Sequence, residues 1–164
     1  MKQERIARAK ELLKTVRHAA MATVNEDGSP HNTPYFFAHN ADFSRLFWRS
    51  RSDTQHSKNI EHTGQLFVVL YTSAGKGDGL YFQAGNARQA DAAELDEIIA
   101  QFNLARQAAA MPVVDPGIYK TAVPKFYVAT VENIWINSAD VDTNGIITRD
   151  YRVPITAADL LAEE

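Results

Sequence analysis

The sequence predicts an α+β domain, mainly β, in which an antiparallel sheet curls into a barrel with helices packed outside it. Two observations carry this. Short apolar strand candidates follow one another through tight polar turns. Helical stretches are few and do not follow nearly every strand, as a doubly wound parallel sheet would require. With 164 residues, 45% of them hydrophobic, the chain is long enough for one sizeable core and is read as a single domain, 1–164.

The elements follow in order. Ile6, Ala9, Leu12, Leu13 and Val16 form an apolar stripe at helical spacing over residues 3–16. "HAAMATV" (18–24) reads as a buried strand, and "NEDGSP" (25–30) as a turn. "HNTPYFFAH" (31–39) is a second strand, with Pro34 placing an edge or bulge within it. "RLFWRS" (45–50) is a third, followed by a short helix near 54–61 and the apolar strand "QLFVVLYT" (65–72). "SAGKGDG" (73–79) reads as a loop leading to the strand "LYFQAGNARQA" (80–90). Asp91 and Glu94 then form a capping box for a helix carrying Leu95, Ile98, Ile99, Phe102 and Ala105. "PVVDPG" (112–117) breaks that helix. Two long strands, 125–137 and 145–155, and a short tail helix capped by Thr156 close the chain.

Composition narrows the function. A net charge of -3 argues against a general nucleic-acid binder. The absence of cysteine excludes disulfides and thiolate chemistry. The N-terminal sixteen residues alternate in charge and lack the apolar core of a signal peptide, and no run is long enough to cross a membrane, so a cytoplasmic protein is expected. None of the five histidines has His-Glu-x-x-His spacing, so no metal site is expected, and His18, His31, His39 and His62 read as surface or capping residues. "GKGDG" lacks the Gly-Lys-Ser/Thr ending of a phosphate loop. No Ser-His-Asp order or paired carboxylates point to hydrolysis.

The stretch with chemistry in it is "LFWRSRSDTQHSKNI" (46–60), where a strand hands over to a helix. Arg49, Arg51 and Lys58 supply cations there, and Ser50, Ser52 and Ser57 supply hydroxyls. Cations and free N–H groups at a helix start suit a phosphate of charge near -2. The competing reading is a solvated loop.

"ATVNEDGSPHNTPYFF", "RLFWRSRSDTQHSKNIEHTGQLFVVLY" and "GLYFQAGNARQ", taken in that order and spacing, resemble the flavin-binding split β-barrel of the pyridoxamine 5'-phosphate oxidase-like family. The resemblance implies FMN at the interface of a homodimer, with both chains lining the flavin. It places Asn32, Thr33, Pro34 and Tyr35 along the flavin ring, where the proline frees backbone groups for the pyrimidine edge. Trp48, Arg49, Ser50 and Ser52 match the flavin-lining strand and its end. His56, Ser57 and Lys58 fall where many members carry a Ser-Arg-Lys-like triplet, with Lys58 the leading phosphate ligand and Ser57 departing from the usual arginine. A late aromatic from the second chain often meets the flavin, which singles out Trp135. True oxidases carry a C-terminal Arg-x-His segment that "TNGIITRDYRVPITAADLLAEE" lacks. The resemblance therefore implies an FMN-dependent oxidoreductase acting on another small molecule. A non-catalytic flavin sensor, or the same barrel holding deazaflavin or haem, are the alternatives. No catalytic residue is assigned.

Overall fold

The computed structural model describes residues 2–73 and 77–162. The tip of the 73–79 loop, Ala74 to Lys76, and with it the first two residues of "GKGDG", lies outside the described residues. The chain runs α1 (Lys2–Thr15), β1 (His18–Val24), β2 (Pro30–Phe36), β3 (Ala38–His39), β4 (Arg45–Ser50), α2 (Gln55–Thr63), β5 (Leu66–Tyr71) and β6 (Gly79–Gln89). A 3-10 turn (Ala92–Glu94) leads into α3 (Leu95–Ala108), followed by α4 (Pro116–Thr121), β7 (Lys125–Val141), β8 (Ile147–Ile155) and α5 (Ala157–Leu161).

All eight strands belong to one antiparallel sheet in the order β2-β1-β5-β6-β7-β4-β3, with β8 added along the far half of β7. The sheet does not close by hydrogen bonds. β2 and β3 lie at its opposite ends, yet only Phe37 separates them in the chain, so the sheet must curl until its ends meet. This is a split barrel with helices outside, an α+β fold.

Strand alternation sorts the side chains into two cores. The barrel interior takes Met21 from β1, Leu46 and Trp48 from β4, Val68 and Leu70 from β5, and Leu80 and Phe82 from β6. The α1 stripe closes onto it through Ala9 and Leu12, with Ile6, Leu13 and Val16 packed against it. The second core lies on the opposite face of β4 and β7. There Phe47, Phe126 and Val128 meet Ile98, Ile99 and Phe102 of α3 and Tyr119 of α4.

Several elements differ from the sequence expectation. The strand expected over 31–39 is two strands, because Phe37 leaves the ladder and its N–H bonds to the Arg17 carbonyl at 3.0 Å. "PVVDPG" does end α3, but it also starts a helix that the periodicity did not show. Asp115 caps α4 by accepting from the Gly117 N–H, and Pro116 takes the first helical position, where its missing N–H costs nothing. β7 runs four residues past Asn137 because β8 pairs with it along that extension. β6 bulges after Gly85, where a Cβ would meet the end of the exposed Glu132 side chain.

Candidate functional site

β4 ends at Ser50, and α2 begins five residues later behind Thr54. Ser50 shares the barrel-facing side of β4 with Leu46 and Trp48, so its hydroxyl points to the end of the barrel that α2 covers. Ser50 Oγ lies 2.7 Å from His56 Nε2, 3.0 Å from Thr54 Oγ1 and 3.1 Å from Ser57 Oγ. Thr54 Oγ1 also donates to Ser57 Oγ at 2.9 Å. Thr54 occupies the cap position of α2, yet its side chain bonds no helix N–H, and the first turn carries no acidic residue. The positive end of the helix is therefore left without a carboxylate from its own first turn. Asp53, just before it, is tied to Arg51 at 2.7 and 2.9 Å.

His31, at the start of β2, stacks on His56 with ring centroids 6.4 Å apart and planes 21° from parallel. Burial, with His31 adding a like charge when protonated, holds the His56 imidazole below its usual pKa. A buried amide network braces the helix from behind. Asn59 Nδ2 donates to Thr23 Oγ1 at 2.9 Å and to Asn25 Oδ1 at 2.8 Å, and its Oδ1 accepts from Gln55.

The structure thus brings together Ser50, His56 and Ser57 of the expected residues, and adds Thr54 and His31. His31 is a correction: it is not a plain surface histidine but half of an imidazole pair. No spacing rule could have found it, since the rings belong to residues 25 positions apart, and the β1–β2 pairing together with the packing of α2 brings them close.

The other expected residues are dispersed. Arg49 shares the opposite face of β4 with Phe47. Its guanidinium carbon lies 4.5 Å from the Tyr119 ring centroid and 5.5 Å from that of Phe126, and its Nη2 donates to the Pro124 carbonyl at 3.0 Å. Ser52 and Lys58 are exposed. Asn32, Thr33 and Pro34 lie on β2, the end strand whose only ladder partner among the described residues is β1, with Asn32 and Pro34 exposed. Tyr35 points inward, and desolvation pushes its phenol above its usual pKa. Trp48 is 1% exposed, stacked on Tyr127 at 5.7 Å and edge-on to Tyr35. Within one chain both belong to the core. Trp135 lies on the outer face of the sheet, stacked on Phe67 at 6.1 Å. Arg152 covers the same patch, 5.1 Å from the Phe67 centroid and 4.1 Å from that of Tyr81.

A groove of about 310 Å³ runs over Thr23, Val24, Pro30, Leu66 and Phe67. It links the strand that braces α2 to the aromatic patch. A larger one, about 650 Å³, lies between α1 and α5 and contains none of the expected site residues. Among the described residues no group of three or more His, Asp or Glu side chains is placed to hold a metal, and no helix is long and apolar enough to cross a membrane.

The fold agrees with a sequence-level match. The family model described as pyridoxamine 5'-phosphate oxidase covers residues 6–135, and the chain belongs to that family. No curated protein matches. Solved structures with the same fold include HutZ, the haem storage protein from Vibrio cholerae, at 18% identity and TM-score 0.62, covering 79% of this chain and 92% of that one. A haem-binding protein from Mycobacterium smegmatis matches at 14% identity and TM-score 0.63, over 98% of this chain but 60% of its own length. An F420 reductase matches at 17% identity and TM-score 0.56, over 76% of this chain and 94% of that one. At these identities the likeness is one of fold.

Proposed function

We propose that this chain is an FMN-dependent oxidoreductase, a homodimer with flavin between its subunits, acting on a small molecule other than pyridoxamine 5'-phosphate. The observation that carries the reading is the hydroxyl and imidazole cluster of Ser50, Thr54, His56 and Ser57 at the start of α2. Every group in it can donate a hydrogen bond, no carboxylate takes part, and the helix end adds its own positive potential. That donor set fits a phosphate ester. Lys58, exposed on the next turn, is free to reach a bound phosphate from outside.

The ring would lie along β2, where Pro34 has no N–H to give and the outer edge of the strand has no ladder partner among the described residues. Asn32 and Thr33 then offer backbone and side-chain groups to a flavin's pyrimidine edge. Trp135 stands apart from this cluster within one chain, so it would line the flavin only from a second subunit. Flavin supplies the redox chemistry at its own N5, and the protein's share is to hold the ring and exclude competing reactions.

The test is a titration of apo-protein with FMN and riboflavin, followed by anaerobic NAD(P)H. FMN should bind more tightly than riboflavin by tenfold or more, since about 1.5–3 kcal/mol is typical of hydrogen bonds to a charged group. Reduction should bleach the bound flavin. Equal binding of the two flavins overturns the phosphate assignment, and flavin that stays yellow makes the protein a sensor.

A second reading is the same barrel holding haem or deazaflavin, and the paired imidazoles of His31 and His56 favour its haem form. It is also favoured by the haem proteins and F420 reductase that share the fold. Extracting and identifying the chromophore of the protein as purified separates these readings.

A further inference from the structure

We infer that His31 and His56 form a proton-operated clamp, so that the site grips a phosphate group tightly at mildly acidic pH and loosely above neutrality. The inference rests on the phosphate assignment above and adds how the site is regulated.

The geometry leaves the histidines as the source of positive charge inside the cluster. Arg49, the cation nearest in sequence, is turned to the other face of β4 and held by Tyr119, Phe126 and Pro124. Arg51 is paired with Asp53. Lys58 is exposed and would reach a phosphate only from outside the cluster. What remains among Ser50, Thr54 and Ser57 is the His56 ring, with His31 stacked against it from β2.

The charged groups on the surrounding elements are few. The β1–β2 turn carries Glu26 and Asp27, and Asp27 is bound to Ser29. α2 itself carries Lys58, Glu61 and His62. Arg88 on β6 is held by Glu94 and Asp91. β1 contributes only His18, at its far end. None of these is the charge that opposes protonation of His56; that charge is His31 on β2.

Two imidazolium rings with centroids 6.4 Å apart repel each other, and among the described residues no carboxylate is bonded to either ring. A bound dianion removes that repulsion. Binding must then draw protons onto the pair, and by linkage the affinity for the anion must rise as pH falls. A permanent cation would hold phosphate at every pH, whereas an imidazole pair holds it conditionally.

Phosphate esters lose charge near pH 6, which would blur the effect. Inorganic sulfate keeps its charge across the range and is the right probe. Side-chain NMR of the His56 imidazole in the full-length protein, from pH 5 to 8, gives its titration midpoint. Adding sulfate should raise that midpoint, and sulfate affinity should be at least about tenfold higher at pH 5.5 than at pH 8. His31→Asn should raise the His56 midpoint without sulfate and flatten the pH dependence of binding. His56→Asn, which keeps a polar group facing Ser50, should abolish the dependence.

Sulfate affinity that does not vary with pH, or a His56 midpoint indifferent to both sulfate and His31, overturns the clamp. The two readings fail separately. If FMN does not bind at any pH while sulfate moves His56, the flavin assignment falls and the clamp stands. If FMN binds tightly and sulfate leaves His56 unmoved, the clamp falls and the flavin assignment stands.

Discussion

Arg49 and Ser50 are adjacent in the chain, yet they belong to different parts of the molecule. Ser50 points toward the end of the barrel and sits in a set of hydroxyls and imidazoles, all close enough to exchange hydrogen bonds. Arg49 points outward into an aromatic box, its charge facing the rings of Tyr119 and Phe126 and one carbonyl. One region is polar, adjustable and built of groups that gain or share protons. The other is a fixed cation against apolar rings, suited to holding α4 on the sheet. The lesson is that chemical type is not enough to assemble a site from sequence. On a strand the side chains alternate, so two consecutive residues cannot serve one small ligand with both side chains unless the strand bulges.

The largest test of this division lies two residues upstream, at Trp48, which shares Ser50's face but not its chemistry. It is fully buried, stacked on Tyr127 and edge-on to Tyr35. Trp48→Ala should destabilise the fold by about 3–5 kcal/mol, the usual range for a large aromatic removed from a core. Urea unfolding monitored by circular dichroism measures it. A loss below about 1 kcal/mol, with flavin affinity reduced instead, would move Trp48 out of the core and back among the cofactor-lining residues.

Next in size is the contrast between the two neighbours themselves. Arg49→Ala removes two ring contacts and a hydrogen bond, and should lower stability by about 1–3 kcal/mol while leaving the preference for FMN over riboflavin intact. Ser50→Ala should do the reverse. It deletes the oxygen shared by Thr54, His56 and Ser57, which weakens FMN by about 1 kcal/mol and leaves riboflavin and unfolding little changed. Urea midpoints and paired flavin titrations on both variants give a two-by-two result. If Arg49→Ala erased the FMN preference, the arginine would have to swing away from Tyr119 when ligand binds.

How much of this was legible in the sequence follows the same line between local and non-local information. The strand alternation in "RLFWRS", the apolar run "LFVVLY" and the α1 stripe are local patterns, and each element stands where its pattern put it. The capping residues Asp91 and Thr156 were readable for the same reason, since a cap is made by residues three positions apart. The hydroxyls and His56 at the start of α2 could be picked out because they sit within one turn. His31 could not, because its partner is set by the pairing of β1 with β2 and the packing of α2 on both. α4 was hidden because six residues give too short a period to see, although Asp115-Pro116 was a helix start in plain sight. The placement of Arg49 was readable in principle: alternation from buried Trp48 puts it outward.

The smallest expected effect separates the two histidines whose pKa burial lowers. His56 borders the polar cluster, so its protonation is expected to report on ligand binding. His39, at the end of β3, is stacked on Phe43 at 4.2 Å and lies 5.6 Å from the Phe37 ring, with Nδ1 2.8 Å from the Asn40 carbonyl. Desolvation among these rings lowers its pKa below the ordinary 6.5, and the bond to the Asn40 carbonyl opposes this only in part. The folded protein therefore prefers His39 neutral, while the unfolded chain takes up a proton at its ordinary value. Its contribution to stability is complete above about pH 6.5. It begins to fall once the pH drops below that, and the loss is complete when the pH has passed below the folded-state value. Urea midpoints measured between pH 8 and pH 5 without ligand should decline on the acid side, and His39→Phe should remove that part of the decline. His31→Asn should leave it in place. A decline that survives His39→Phe and vanishes with the His31 or His56 variants would mean that the imidazole pair, and not the aromatic box around His39, carries the acid sensitivity of the fold.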